Sequence, residues 1–402
     1  MKSIIPRGYS SGIWAVFFCR IMTAIGFSIS MPYLSLYFHN ELGISMTIVG
    51  IILMSASIVG ALLGVYGGEL SDRMGRRWVM VRALLWRSFI FMLMAYVIAR
   101  NADIYIIAGL LILNSAFGSF FIPASTSYVA DLTEEERRTS AYGLLRIGGN
   151  LGWALGPMIG GFIVTIDYAY LFLFTGVCML IATSILLKFS KESLSESTLL
   201  RSKKAGIKEM LSAARDKRFL VFVMICLIIF IAWGQLIFPF AVYTVNRVGI
   251  TKTQLGVLFS LNGLMVVVFQ YFITGLVPIK RQLTALWIGS LIYAIGYFTV
   301  GVATSFVFLI GSVVVITVGE MIVSPTTMSY ASIIADPEHK GRYLGFFNVS
   351  HSLGWSLAPL VGGVLLDSFT GRSFFIWGII SGLSVIAALG FILFRSEKSQ
   401  NL

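Results

Sequence analysis

Apolar stretches of about twenty residues or more recur from one end of this 402-residue chain to the other, parted by short polar connections. Nothing else in the sequence constrains the fold as strongly. As a helix, each stretch can cross a hydrocarbon layer roughly 30 Å thick. Inside that layer every backbone N–H and C=O needs a partner within the chain, which leaves helices and closed barrels. A membrane barrel would show alternating segments of about ten residues, and none is present. Charged residues make up only 12% of the chain, about half the share of a soluble protein. The expected fold is all-α and integral to the membrane. Twelve spans are predicted, at 12–38, 46–69, 79–99, 103–130, 139–165, 168–188, 218–246, 253–276, 282–303, 305–333, 341–366 and 373–394. The first is too long for a signal-peptide core and has no convincing cleavage site, so it is read as a helix.

Charge sets the orientation. With twelve spans both termini share a side, and 22 of the 30 Lys and Arg fall there. Four lie on the other side and four within spans: Arg20, Arg82, Arg87 and Arg146. The positive-inside rule puts both termini in the cytoplasm. The net charge of +12 is therefore a topology signal, and no nucleic-acid partner is expected. Cys19, Cys178 and Cys226 all fall inside spans, without metal-ligand or disulfide spacing, and read as packing residues. The sequence offers no nucleophile with its base, no phosphate loop and no metal cluster, so neither an enzyme nor a cofactor is expected. Short loops and the lack of a leader fit a prokaryotic inner membrane, with the lipid bilayer as surroundings and the protein a monomer.

The longest loop divides the chain into two six-span bundles, 1–188 and 218–402, joined by a cytoplasmic linker at 189–217. Ile207, Met210, Leu211 and Ala214 recur at helical spacing among basic residues there. They predict a short amphipathic helix, on the membrane surface or solvated. The bundles are copies. A shift of 202 residues aligns Pro123 with Pro325 and Gly152, Trp153, Pro157, Gly160 and Gly161 with Gly354, Trp355, Pro359, Gly362 and Gly363. A shift near 206 brings Tyr37 and Asn40 onto Tyr243 and Asn246. Two like-oriented halves suit a transporter that rocks about a central site.

Between the second and third spans stands GGELSDRMGRR. It resembles the loop motif G-x-L-a-D-R-x-G-R-R of the major facilitator superfamily, at Gly68, Leu70, Asp72, Arg73, Gly75, Arg76 and Arg77. GWALGPMIGG at 152–161 resembles the antiporter motif of that family's twelve-helix proton-coupled multidrug exporters. It carries the motif residues Gly152, Gly156, Pro157, Gly160 and Gly161, and the resemblance covers the whole chain. Physically, Gly75 permits a tight turn, and an Asp at the membrane edge needs a cation or a helix N-terminus. The resemblance implies that Asp72 meets the start of the eleventh helix and that Arg76 pairs with Asp131, as a cytoplasmic latch that opens during transport. Arg73 and Arg77 act as cytoplasmic anchors. The second half has no acid in its equivalent loop, TGLVPIKRQL. Gly148, Gly149, Gly152, Gly156, Gly160 and Gly161 give the fifth helix a smooth face, kinked by Pro157. That face is expected at a seam between the halves, as a slidable contact or as ordinary small-residue packing.

Away from the span ends, only one acid remains, Glu320 in the tenth span. It lies roughly 24 Å from the outer face at 1.5 Å per residue. An intramembrane carboxylate is a functional candidate by default, here for binding a proton or a cationic substrate, with a static ion pair as the alternative. Gly118 occupies the matching position in the first half, so the fold does not require an acid there. Arg20, Arg146 and Arg87 lie too deep to snorkel. Arg20 is the expected cross-half partner of Glu320, or else is buried with Asn114 or binds an anion. The resemblance leads one to expect an arginine in the fourth helix, where this chain has Asn114, so that proton relay cannot be carried over. His351 is a candidate relay. Phe27, Met31, Tyr33, Trp233, Gln235 and Phe238, with Phe240 and Tyr243, are expected to line the cavity beside Asn114. The expected function is proton-driven export of lipophilic cationic compounds by alternating access. The alternative is proton-coupled transport of a specific metabolite such as a sugar, amino acid or peptide.

Overall fold

A computed structural model describes residues 8–194 and 212–400. These residues form twelve long helices and no strand, so the expected all-α membrane architecture is the one observed. The helices are α1 (Ser11–Leu36), α2 (Met46–Met74), α3 (Arg76–Ala99), α4 (Ile104–Asp131), α5 (Glu135–Ile163) and α6 (Tyr168–Phe189). The second set is α7 (Lys217–Gly234), α8 (Lys252–Gly275), α9 (Gln282–Gly301), α10 (Phe306–Ile334), α11 (Lys340–Ser368) and α12 (Ser373–Gln400). Eleven of them, with their short extensions, are long and apolar enough to cross a membrane. The twelfth, α5, has Glu135, Arg137 and Arg138 in its first turn and a glycine face, which lower its hydropathy. Large apolar side chains such as Leu62, Phe162 and Val307 are left exposed, as a lipid solvent allows. Most of the predicted surface helix, 207–211, lies outside the described residues; Ser212–Arg215 form a single 3-10 turn.

Packing repeats as the sequence does. Helix α3 packs on α4 and α6, and α9 packs on α10 and α12. The chain clusters into two compact units, Met1–Met31 with Val59–Lys204 and Pro32–Ile58 with Ala205–Leu402. The second unit thus takes in the end of α1 and the start of α2.

One proline stands at a break, while Pro32, Pro123, Pro157, Pro325 and Pro359 lie inside continuous helices. Helix α7 stops at Gly234, four turn residues follow, and a short helix, Pro239–Tyr243, resumes the course. Pro239 has no N–H to offer the Gln235 carbonyl, so the Phe240 N–H bonds to it instead, at 3.3 Å. The Gln235 side chain repairs the step before, donating from Nε2 to the Ile231 carbonyl at 3.0 Å and to the Ala358 carbonyl of α11 at 3.0 Å. Both first-of-half helices then end in a π-turn, Tyr37–Glu41 and Thr244–Val248.

The glycine face of α5 lies against α1 within one unit. A Cβ on Gly152 would meet the Ile25 nitrogen at 2.7 Å, and one on Gly156 the Ile25 carbonyl at 2.7 Å and Ser28. The seam expected between the halves is thus, for these residues, a contact inside the first. The reason is Ser28, whose hydroxyl donates to the Gly152 carbonyl at 3.1 Å and draws the backbones together. Helices α11 and α7 repeat the arrangement with the small residue moved across it. Ala358 stands where Gly156 would be, and Gly234 faces it in the place of Ser28.

Candidate functional site

The end of the first unit that carries the GGELSDRMGRR motif is built around Gly75. Helix α2 continues through the polar stretch to Met74, and Gly75 alone, at φ 90°, turns the chain into α3. Arg76 then faces α4. Its Nε lies 2.8 Å from Asp131 Oδ2, and its Nη2 lies 3.3 Å from Asp72 Oδ1. One guanidinium between two carboxylates leaves a net negative charge. Arg73 pairs with Glu69 at 2.6 Å on the exposed side. The sequence reading missed Glu192, just beyond α6. Its carboxylate accepts the Arg76 and Arg77 backbone N–H groups at 2.9 and 3.1 Å, capping the positive end of α3. Ser193 donates to Asp131 at 2.8 Å, so the start of the linker is bonded to the motif. The glycine face of α2 also has a function: Gly60, Gly64 and Gly67 lie against Ser115, Ser119 and Phe120 of α4.

Deeper in this unit, Asn114 is engaged by Arg87 of α3, whose Nε donates to Asn114 Oδ1 at 3.0 Å. Arg20, expected as a possible partner of Asn114, does not take it. The physical reason is Gly118, one turn along α4, which leaves room for the Arg87 guanidinium at 3.3 Å from where a Cβ would stand. Arg87 also lies over the Phe91 ring at 5.9 Å. The guanidinium beside Asn114 thus comes from α3. Arg20 is partly buried, and its Nε makes no hydrogen bond among the described residues. Arg146 is exposed rather than buried in the bundle.

In the second unit Glu320 sits half-buried near the middle of α10. Asn262 of α8 donates through Nδ2 to Glu320 Oε2 at 2.8 Å and to Thr317 Oγ1 at 2.9 Å. Tyr293 and Tyr297 of α9 stack at 5.8 Å. Asn262 went unread, although it is an amide in the middle of an apolar span.

Aromatic rings form matching groups in the two units. Phe27 meets Trp153 edge-on at 6.0 Å, and the repeat-related Trp233 meets Trp355 at 5.4 Å. Phe238 adds to the second pair at 5.7 Å from Trp355. His351 packs between Phe230 at 4.7 Å and Trp233 at 5.4 Å. Several expected cavity residues are placed differently. Gln235 is wholly buried as the clasp between α7 and α11, because its own N–H turns to the Ala232 carbonyl and leaves the Ile231 carbonyl to its amide. Phe240 and Tyr243 pack on Trp377 of α12, and Tyr33 and Met31 are buried. No metal-ligand cluster occurs among the described residues, and the three cysteines are free thiols, buried or partly so.

A family model described as Major Facilitator Superfamily matches residues 16–359. The chain is 26% identical over 390 residues to the uncharacterized MFS-type transporter YqjV of Bacillus subtilis strain 168, covering 96% of this chain and 93% of that one. It is 25% identical over 395 residues to the multidrug resistance protein MdtH of Photorhabdus laumondii, covering 96% of each. Among solved structures, a peptide transporter POT in complex with sulfate superposes with a TM-score of 0.77 at 16% identity, over 97% of this chain and 95% of that one. The human organic anion transporter MFSD10 does so with a TM-score of 0.69 at 17% identity, over 95% and 99%. At these identities the likeness to solved structures is one of fold. The sequence repeat, the twelve long helices and a family model spanning most of the chain lead to one conclusion: the chain belongs to the Major Facilitator Superfamily and is a multi-pass membrane transporter of small molecules.

Proposed function

We propose that the chain exports lipophilic, cationic small molecules in exchange for protons, by alternating access across a cell membrane. The observation that carries the reading is Glu320, a carboxylate near the middle of α10 held by the Asn262 amide. A carboxylate at this depth is costly to keep charged unless it holds a cation or a proton. The two therefore compete for it. A proton entering from outside neutralises Glu320 and weakens its hold on the cation, which leaves outward. Loss of the proton toward the cytoplasm restores the site. The aromatic pairs Phe27–Trp153 and Trp233–Trp355 offer π-faces for the apolar and cationic parts of such compounds. Asp72, Arg76 and Asp131 serve as the cytoplasmic latch. Asp72, at the longer contact of 3.3 Å, is the member placed to change partner. The similarity to a protein named for multidrug resistance points the same way.

The test is uptake of a lipophilic fluorescent cation into proteoliposomes made acidic inside, for the parent protein and Glu320→Gln. Glutamine keeps the size and one acceptor but cannot cycle a proton. Gradient-driven uptake by the parent that is lost in the variant is the expected result. Equal uptake by both would remove Glu320 from the mechanism. No uptake by either would favour transport of a specific metabolite.

A further inference from the structure

The end of the second unit that the charge asymmetry places outside holds a second acid at a helix end. Asp367, in the last turn of α11, accepts the Met46 N–H through Oδ1 at 3.1 Å. Through Oδ2 it accepts the Thr47 N–H at 2.7 Å and the Thr47 hydroxyl at 2.6 Å. It thus caps the N-terminus of α2, where orphan N–H groups and the helix dipole favour a carboxylate. The backbones beneath it touch. A Cβ on Gly50 would stand 2.6 Å from Leu360 Cα, and Gly363 lies against the Met46 carbonyl. Beside this seam Asn40 and Asn246 exchange amide hydrogen bonds at 2.9 and 2.8 Å, joining the π-turns Tyr37–Glu41 and Thr244–Val248. Lys252 reaches Glu41 at 3.4 Å.

The repeat does not demand this acid. The residue matching Asp367 in the first half is Thr165, in the turn after α5, whose hydroxyl bonds back to the Phe162 carbonyl. A charge kept at only one of two equivalent seams points to a task beyond folding. The inner latch has the same one-sidedness, since Asp72 too lacks an acidic counterpart.

We propose that Asp367 is the outer counterpart of Asp72: bound to the start of α2, it holds the outer end of the α2–α11 seam closed, and it releases that end when substrate leaves. Transport then breaks this cap as the outer end opens and remakes it as that end closes. Asp367 is a positioning residue, acting through helix placement rather than on the cargo. The inference rests on alternating access in the proposed function, but on neither the cargo nor the proton.

The test reads the seam directly. In full-length protein with its three cysteines replaced by alanine, Leu53→Cys puts a buried thiol on the same face of α2 as Met46 and Gly50. Its rate of labelling by a membrane-impermeant maleimide from outside reports opening. Asp367→Asn should raise that rate about tenfold, since hydrogen bonds to a charged group are lost or weakened. Thr47→Val, which removes only the hydroxyl bond, should raise it less and serves if the first variant does not fold. Asp72→Asn should lower it. A second thiol at Leu286, buried in α9, should stay unlabelled throughout. Labelling of Asp367→Asn or Thr47→Val at the parent rate, or a parallel rise at Leu286, would overturn the proposal. Because no cargo is used, a failure of the uptake assay leaves this outcome unaffected.

Discussion

Gly156→Ala tests whether the α1–α5 contact is as tight as its geometry says. The new methyl would stand 2.7 Å from the Ile25 carbonyl oxygen and 3.1 Å from Ser28 Cβ, where ordinary contact begins near 3.4 Å. Helix α5 must therefore retreat by about 0.7 Å, and overpacking of this kind costs about 1–3 kcal/mol. The retreat also strains the bond from Ser28 to the Gly152 carbonyl, adding roughly 1 kcal/mol. We expect a loss of about 2–4 kcal/mol for the single variant. The second half supplies the remedy, because there alanine faces glycine. Gly156→Ala combined with Ser28→Gly should recover about half the loss, a coupling of ~1 kcal/mol or more. Recovery stays partial because the Ile25 carbonyl remains in the way. Unfolding titrations of purified protein in mixed micelles, run as a double-mutant cycle, measure these terms. A single variant within about 0.5 kcal/mol of the parent, or two substitutions that simply add, would refute the reasoning.

Three further outcomes are expected. Glu192→Ala should free the N–H groups of Arg76 and Arg77 and speed their hydrogen exchange about tenfold, the equivalent of a lost cap; unchanged exchange would mean the carboxylate does not cap α3. Asn114→Ala leaves a buried guanidinium without its acceptor and should cost about 1.5–3 kcal/mol, whereas Arg87→Met with Asn114→Leu should cost less, both read by the same titrations. In the loop before α11 the His339 ring, followed by the Glu338 N–H, holds the Asp336 carboxyl below its usual range. A carboxyl depressed in the folded state stabilises above its unfolded pKa and loses that contribution as pH falls through the folded value. Asp336→Asn should therefore flatten the stability profile on the acid side, by a small amount at so exposed a site.

What the sequence made legible followed from solvent and symmetry. Twenty-residue apolar runs leave few choices of fold, and one offset aligning many Gly, Pro and Trp positions exposes a repeat without any knowledge of contacts. The lone acid in the tenth span stands out because charge is rare at that depth. Partners were harder to read. Arg87 and Asn114 lie on different helices, and their meeting depends on Gly118 one turn away, which no single-helix pattern reveals. Glu192 looked like one more charge in a polar linker. Asp367 sits at a span end, where an acid costs little and draws no notice. Gln235 was misread because an amide beside aromatics suggests a cavity, while the Ile231 and Ala358 carbonyls that employ it are a demand of the backbone.

The single-residue turn at Gly75 leaves the α2–α3 hairpin no slack. A helix rotates about 100° per residue, so one residue added to α3 at its start would swing Arg87 off Asn114. One added to α2 would carry the polar end away from Asp131, and one looped out would collide with Glu192, already 2.6 Å from where a Cβ on Gly75 would stand. Insertions and deletions should thus be excluded from this connection. The short turn acts as a gauge block that fixes the phase of two helices against each other, and with it the register of the arginines they carry.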